Sequence, residues 1–133
     1  MTVKKDLKDR GDIEALLHSF YQKATSDPLI GHFFTEVIHL DIEKHIPVIA
    51  DFWEAILFDT RTYKKNVMEV HQHIHSLSAI KKEHLTRWVE LFHKTVDGSF
   101  EGPKATLIKQ RAQSVATLMD IKLNHSGIGN YKS

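Results

Sequence analysis

The sequence predicts an all-α protein with four main helices. Apolar residues recur at helical spacing in four separate stretches, and no stretch of any length alternates apolar and polar residues as a strand would. The chain has no internal repeat and no linker rich in proline, glycine or serine, so we expect residues 1–133 to form one domain. We expect residues 1–11 and 126–133 to be flexible tails.

The first helix is predicted by one buried stripe at the spacing i, i+3, i+4, i+7, i+8, i+11. Asp12 is the expected N-cap, and Asp27-Pro28 should end the helix. The next segment, residues 28–38, is an apolar connection too short for a long helix. The stripe consists of Ile13, Leu16, Leu17, Phe20, Tyr21 and Ala24.

The second helix should begin near Asp41, a good N-cap, and Pro47 lies early in it, where proline is better tolerated. The third should span residues 82–96 and end at Asp97-Gly98. The fourth should start around Pro103, and residues 67–74 could form a short fifth helix. The inward residues of the second and third helices are Ile42, Ile46, Ile49, Trp53, Ile56 and Leu57, and Leu85, Trp88, Val89, Phe92 and Val96.

Charge and composition exclude several classes of protein. Lysine and arginine number 18 against 17 acidic residues, and this balance gives no electrostatic reason to expect nucleic acid or an anionic membrane as a partner. Cysteine is absent, which excludes disulfides and thiolate chemistry. The charged N-terminus is not a signal peptide, and no run approaches the ~18 apolar residues of a membrane span. These features predict a cytoplasmic protein.

Histidine is the over-represented residue, with 10 in the chain and four between positions 71 and 84. On a helix, His71 and His75 would share a face at i, i+4 and could bind zinc, although no third ligand stands at a diagnostic spacing. His73 and His75 could equally be surface residues. His71 differs because it lies in an apolar segment.

An all-α domain with inward histidines and many aromatic residues suggests a haem pocket. Tyr21 lies on the buried stripe of the first helix, where its hydroxyl needs a hydrogen-bonding partner. His45 lies one position from the inner stripe of the second helix.

Taken in order, a set of residues spanning positions 12 to 122 resembles the truncated haemoglobins, specifically their third group. The set comprises Phe20-Tyr21, Phe33-Phe34, His45, Phe52-Trp53, His71, Trp88-Val89-Glu90-Leu91-Phe92, and Gln110-Arg111-Ala112-Gln113 with Ala116.

The resemblance implies a globin-like, two-over-two helical sandwich enclosing haem b. His71 matches the proximal iron ligand, and Tyr21, Trp88 and His45 match the distal positions. The cofactor-contacting residues it implies are Phe33, Phe34, Ile49, Trp53, His75 and Phe92, with His75 near a haem propionate. The chain departs from the family between His71 and Trp88, where its link is longer and lacks the usual proline.

The resemblance implies that oxygen binds at ferrous haem iron, held by hydrogen bonds from Tyr21 and Trp88. Nitric oxide, carbon monoxide, cyanide and peroxide are further expected ligands. Two alternatives stay open at this point. One is a haem redox enzyme that consumes nitric oxide or peroxide with an unidentified reductase, and the other is a haem-free helical adaptor or zinc protein.

Overall fold

A computed structural model of the protein describes residues 4–39, 41–58, 75 and 79–125, the last without the side chain of His125. The α-helices in this part of the chain are α1 (Arg10–Thr25), α2 (Ile42–Phe58), α3 (Lys82–Ser99) and α4 (Pro103–Asp120). π-Helical turns cover Phe33–Val37 and Ile121–His125. Within these ranges the sole β-type pairing is an isolated bridge, so the all-α prediction is confirmed.

The four helices pack as two pairs. Helix α1 lies against α2, and α3 lies against α4; α1 also packs on α3, and α2 on α4. One pair therefore lies over the other, which is the two-over-two sandwich that the resemblance implied. The core between them is apolar, and none of the described helices is long and apolar enough to cross a membrane.

The apolar period predicted the buried face of helix α1 correctly but not the residue at which the helix begins. Its buried residues are the predicted stripe from Ile13 to Ala24, but its N-cap is Asp9 and not Asp12. The Asp9 carboxylate accepts a hydrogen bond from the backbone N–H of Asp12, so Asp12 lies in the first turn. The prediction was wrong because the stripe begins at Ile13 and carries no information about the polar turn before it.

One further helix boundary, the end of α3, differs from the prediction. Helix α3 continues through Asp97 and Gly98 to Ser99, and the chain becomes extended at Phe100. Gly98 stays within the helix, and the glycine with positive φ is Gly102, φ 140°, which is the N-cap of α4. The predicted helix over residues 67–74 lies outside the described residues.

The N-terminal segment is packed rather than free. Leu7 is 2% exposed, and the Asp6 carboxylate accepts hydrogen bonds from the backbone N–H groups of Lys104 and Ala105 at 2.9 and 2.8 Å. Asp6 therefore caps the N-terminus of α4 from 98 residues away in sequence. The predicted flexible tail over residues 1–11 therefore includes packed residues, and residues 126–133 lie outside the described part of the chain.

Removing this long-range cap should destabilise the fold. We expect Asp6→Ala to lower the free energy of unfolding by about 1–2 kcal/mol, because two N–H groups of α4 lose their acceptor. Urea unfolding followed by circular dichroism measures the loss, and Asp6→Asn should lose less stability than Asp6→Ala, since its single side-chain oxygen still accepts one of the two N–H groups. Equal stability of Asp6→Ala and Asp6→Asn would contradict the assignment.

Candidate ligand-binding pocket

A polar pair lies between α1 and α2, inside an otherwise apolar region. The Tyr21 hydroxyl lies 2.9 Å from the His45 Nε2 atom. Tyr21 is 7% exposed, and burial raises the pKa of its hydroxyl, so the phenol stays neutral and keeps its proton. His45 is half-buried near the start of α2. The pair thus places a hydroxyl and an imidazole among apolar side chains.

Aromatic rings extend from this pair in two directions. The edge of Phe34 meets Tyr21 with ring centroids 5.8 Å apart. Phe20 touches Tyr21 on one side and Trp88 on the other, at centroid distances of 5.1 and 6.1 Å. Trp88 is half-buried, and its indole N–H donates to no residue that the structure describes. A second hydrogen-bond donor therefore lies one ring away from Tyr21.

Trp88 also belongs to a stack of three aromatic rings. Phe92 lies between Trp53 of α2 and Trp88 of α3, with centroid distances of 5.5 and 5.7 Å and interplanar angles below 20°. Trp53 and Phe92 are 2% and 1% exposed, whereas Ile49 is half-buried. The Trp88 ring thus packs on Phe92, which in turn packs on Trp53.

Phe33 and Phe34 face different partners. Phe34 meets Tyr21, while the buried Phe33 packs against His32 and His84 at centroid distances of 4.2 and 5.0 Å. His84 Nδ1 accepts the backbone N–H of Lys81, and burial is the main cause of its lowered pKa. Of the two phenylalanines, the structure brings Phe34 to the Tyr21–His45 pair.

The predicted iron ligand His71 lies outside the described residues, so its role stays a prediction. His75 is described, and its Nδ1 accepts the backbone N–H of Ile80 at 2.9 Å, which ties it to the segment entering α3. In the described ranges, no three histidine or acidic side chains form a group that could hold a metal ion. The zinc alternative depends on His71, so it is not tested by this finding.

Sequence reasoning missed an ion pair beside the pocket, between Asp27 and Arg87. The Asp27 side chain is 3% exposed, and Arg87 contacts it at 2.8 Å. Burial pushes the pKa of Asp27 upward, but hydrogen bonds from Arg87 and two backbone N–H groups outweigh it and leave the pKa below its usual value. Ionisation of Asp27 is therefore more favourable in the folded than in the unfolded chain, and this pH-dependent contribution to stability is lost as pH falls through the lowered pKa.

No signal within either segment could have revealed the ion pair. Its partners are 60 residues apart and stand on separate elements. Asp27 reads in sequence as a helix-ending residue before proline, and Arg87 reads as one of many exposed helix charges.

Comparison with known proteins bears on both the sequence and the fold. No family model matches the chain. A curated relative named group 3 truncated hemoglobin, from Campylobacter jejuni, is 25% identical over 118 residues, covering 86% of this chain and 91% of the relative. The crystal structure of group III truncated hemoglobin from Campylobacter jejuni superposes with a TM-score of 0.79 at 23% identity, covering 91% of this chain and 95% of that one. The chain has a truncated-globin fold.

The predicted resemblance to the group III truncated haemoglobins is therefore confirmed. In this truncated-globin fold, α1 and α2 meet at the Tyr21–His45 pair, and α3 brings Trp88 to the same region. Three predicted distal residues thus lie on three helices that converge, although they are far apart in sequence.

Proposed function

We propose that the chain is a haem-binding globin that binds oxygen, and other diatomic ligands, at ferrous haem iron. The observation that carries the proposal is the Tyr21 hydroxyl, 2.9 Å from His45 Nε2, in a region walled by Phe34, Phe20 and Trp88. A buried hydroxyl and an imidazole in apolar surroundings can orient a small ligand by hydrogen bonds.

The residues of this region fit haem b. Several large apolar side chains on the surrounding elements stay half-buried, which is the kind of surface that a flat apolar cofactor covers. They include Phe34 and Val37 of the π-helical turn, Ile42 and Ile49 of α2, and Trp88 of α3. The resemblance supplies the iron ligand, His71, and when bound, the haem supplies a ferrous iron atom that takes diatomic ligands.

Tyr21 and Trp88 have the chemistry to select and hold oxygen. Oxygen on ferrous iron carries partial negative charge, and the phenol O–H and indole N–H are both donors. A hydrogen bond to a charged acceptor contributes about 1.5–3 kcal/mol, or roughly tenfold to a hundredfold in affinity. Carbon monoxide takes up less negative charge, so the same donors favour oxygen over carbon monoxide.

His45 controls access to Tyr21. A neutral imidazole Nε2 accepts a hydrogen bond from a phenol, and while it does so, the Tyr21 proton points at His45 rather than at the ligand. A ligand that enters must compete for this proton. We therefore infer that His45 swings between an inward position on Tyr21 and an outward one, and is not a permanent iron ligand.

This gate predicts a kinetic effect of removing His45. In the haem-loaded protein, His45→Leu should raise the rate of carbon monoxide association by about twofold to tenfold, because the ligand no longer breaks a hydrogen bond worth about 0.5–1.5 kcal/mol. Flash photolysis measures the rate. His18→Leu is the control, since His18 is exposed on α1. A low-spin ferric spectrum of the wild type that disappears in His45→Ala would overturn the gate and make His45 a sixth ligand.

A redox enzyme acting on nitric oxide or peroxide is the second candidate. The specific observation in its favour is the number of polar groups in one pocket, because several donors can also polarise an O–O bond. One assay separates the candidates. A binding protein forms a stable oxygen complex that oxidises slowly, whereas an enzyme consumes nitric oxide or peroxide over many turnovers when a reductant, standing in for a reductase, is supplied. A haem-free adaptor would take up no haem.

A further inference from the structure

The Asp27 carboxylate makes four hydrogen-bonding contacts in a region where charge is costly to bury. One oxygen accepts the backbone N–H groups of Leu29 and Ile30 at 3.0 and 3.2 Å. The other accepts Nε and Nη2 of Arg87, both at 2.8 Å. A buried ion pair is weak evidence of stabilisation, because desolvation offsets much of the attraction. The way in which the ion pair connects two segments of the chain is more informative than its contribution to stability.

Each end of the pair adjoins a residue of the proposed pocket. Asp27 caps the short turn that leads from α1, the helix of Tyr21, to the aromatic segment that contains Phe34. This turn is tight, since a Cβ on Gly31 would lie 2.6 Å from the Thr25 carbonyl oxygen. Arg87 immediately precedes Trp88 on α3. The ion pair thus fixes the end of α1 to α3 at the position of Trp88.

The orientation of the Trp88 side chain depends on this ion pair more than the orientation of a fully buried side chain would. Its ring stacks on Phe92 of the same helix and meets the edge of Phe20, but it is only half-buried, and no described residue accepts from its N–H. The direction of the indole N–H therefore follows the rotation of α3 about its own axis. Nε and Nη2 of Arg87 both contact one Asp27 oxygen, while backbone N–H groups hold the other oxygen, so the ion pair ties α3 to the turn after α1 and restricts such a rotation.

We propose that Asp27 and Arg87 are positioning residues that aim the Trp88 indole N–H at the ligand. This inference rests on the proposed function, because it assigns a task to a donor in that pocket. Arg87 also lies 3.7 Å from Glu90, but this contact is long and exposed and stays within one helix, so it cannot orient α3 against α1.

The test uses the full-length haem-loaded protein, with carbon monoxide as the probe. The carbon monoxide stretching frequency of the ferrous complex shifts with the donors that face the ligand. We expect Arg87→Met and Asp27→Asn each to shift this frequency toward that of Trp88→Phe, and to speed oxygen dissociation by about threefold to tenfold. Glu90→Gln, the matched control, should change neither quantity.

A double-mutant cycle separates positioning from general destabilisation. If Arg87 acts through Trp88, Arg87→Met should have no further effect on the stretching frequency in the Trp88→Phe background. A shift that persists there overturns the proposal. So does a wild-type frequency in both Arg87→Met and Asp27→Asn while Trp88→Phe shifts it, which would leave the proposed function intact.

A double variant that removes both charges and a fluorescence measurement on Trp88 distinguish loss of positioning from misfolding. Arg87→Met leaves a buried carboxylate without its partner, so the combination Asp27→Asn with Arg87→Met removes both charges while the asparagine oxygen still accepts a backbone N–H. In apo-protein carrying Trp53→Phe, Trp88 is the one remaining tryptophan, since the chain has two. Its emission maximum should shift to longer wavelength in the combined variant and not in Glu90→Gln; no shift overturns the proposal.

Discussion

Replacing His71 with glycine should abolish stable haem binding. The resemblance makes His71 the proximal ligand, and loss of the iron–nitrogen bond should cost more than the 10- to 100-fold typical of removing a residue that only supports a metal ligand. Haem transfer to apomyoglobin, followed in the Soret band, measures the loss. Added imidazole should restore part of the binding, because it can fill the space left by the side chain.

His73→Gly is the matched control for this experiment. His73 lies two residues from His71, and the resemblance assigns it no ligand role. Equal haem loss from the two variants would point to damage in the segment as a whole. Retention of haem by His71→Gly without imidazole would contradict the assignment of the iron ligand.

Replacing Tyr21 with phenylalanine should speed oxygen release by about tenfold to a hundredfold, and Trp88→Phe by about tenfold. Both changes remove a donor and keep an aromatic ring in place, so packing against Phe20 is largely retained. Stopped-flow replacement of oxygen by carbon monoxide measures the rate. Since both donors serve one ligand, the effect of the double variant should differ from the product of the single effects.

Phe34→Leu is the control for the distal donors, because it alters the apolar wall beside Tyr21 without removing a donor. It should change oxygen release by less than either donor variant. Wild-type release rates in both Tyr21→Phe and Trp88→Phe would show that the distal hydrogen bonds are wrongly assigned.

The sequence predicted the helices well because burial in an all-α protein follows a local period. The buried stripe of α1 required no knowledge of distant contacts, whereas the convergence of Tyr21 and Trp88 was expected only from the resemblance to the truncated haemoglobins. The role of Asp6 was not predicted because its partners, Lys104 and Ala105, lie at the start of α4. A single apolar residue among charges, such as Leu7, gives no periodic signal, so its burial could not be predicted from the local sequence.

The candidate site was predictable in part for a similar reason. That Tyr21 needs a partner follows from its position on a buried stripe, and His45 proved to be that partner. The sequence could not separate Phe33 from Phe34, because adjacent residues on an irregular turn have no fixed phase. It also could not show that Arg87 reaches Asp27, since each has an unremarkable local role.

Titration of the apo-protein with haem, followed by the ferric and reduced spectra, is the most direct test of haem binding through His71. We expect a Soret band that saturates at one haem per chain, a mainly high-spin ferric spectrum at neutral pH, and an iron–histidine stretching band in the reduced protein that is lost in His71→Ala. Failure to bind haem, or an unchanged Soret band and iron–histidine stretch in His71→Ala, would contradict it.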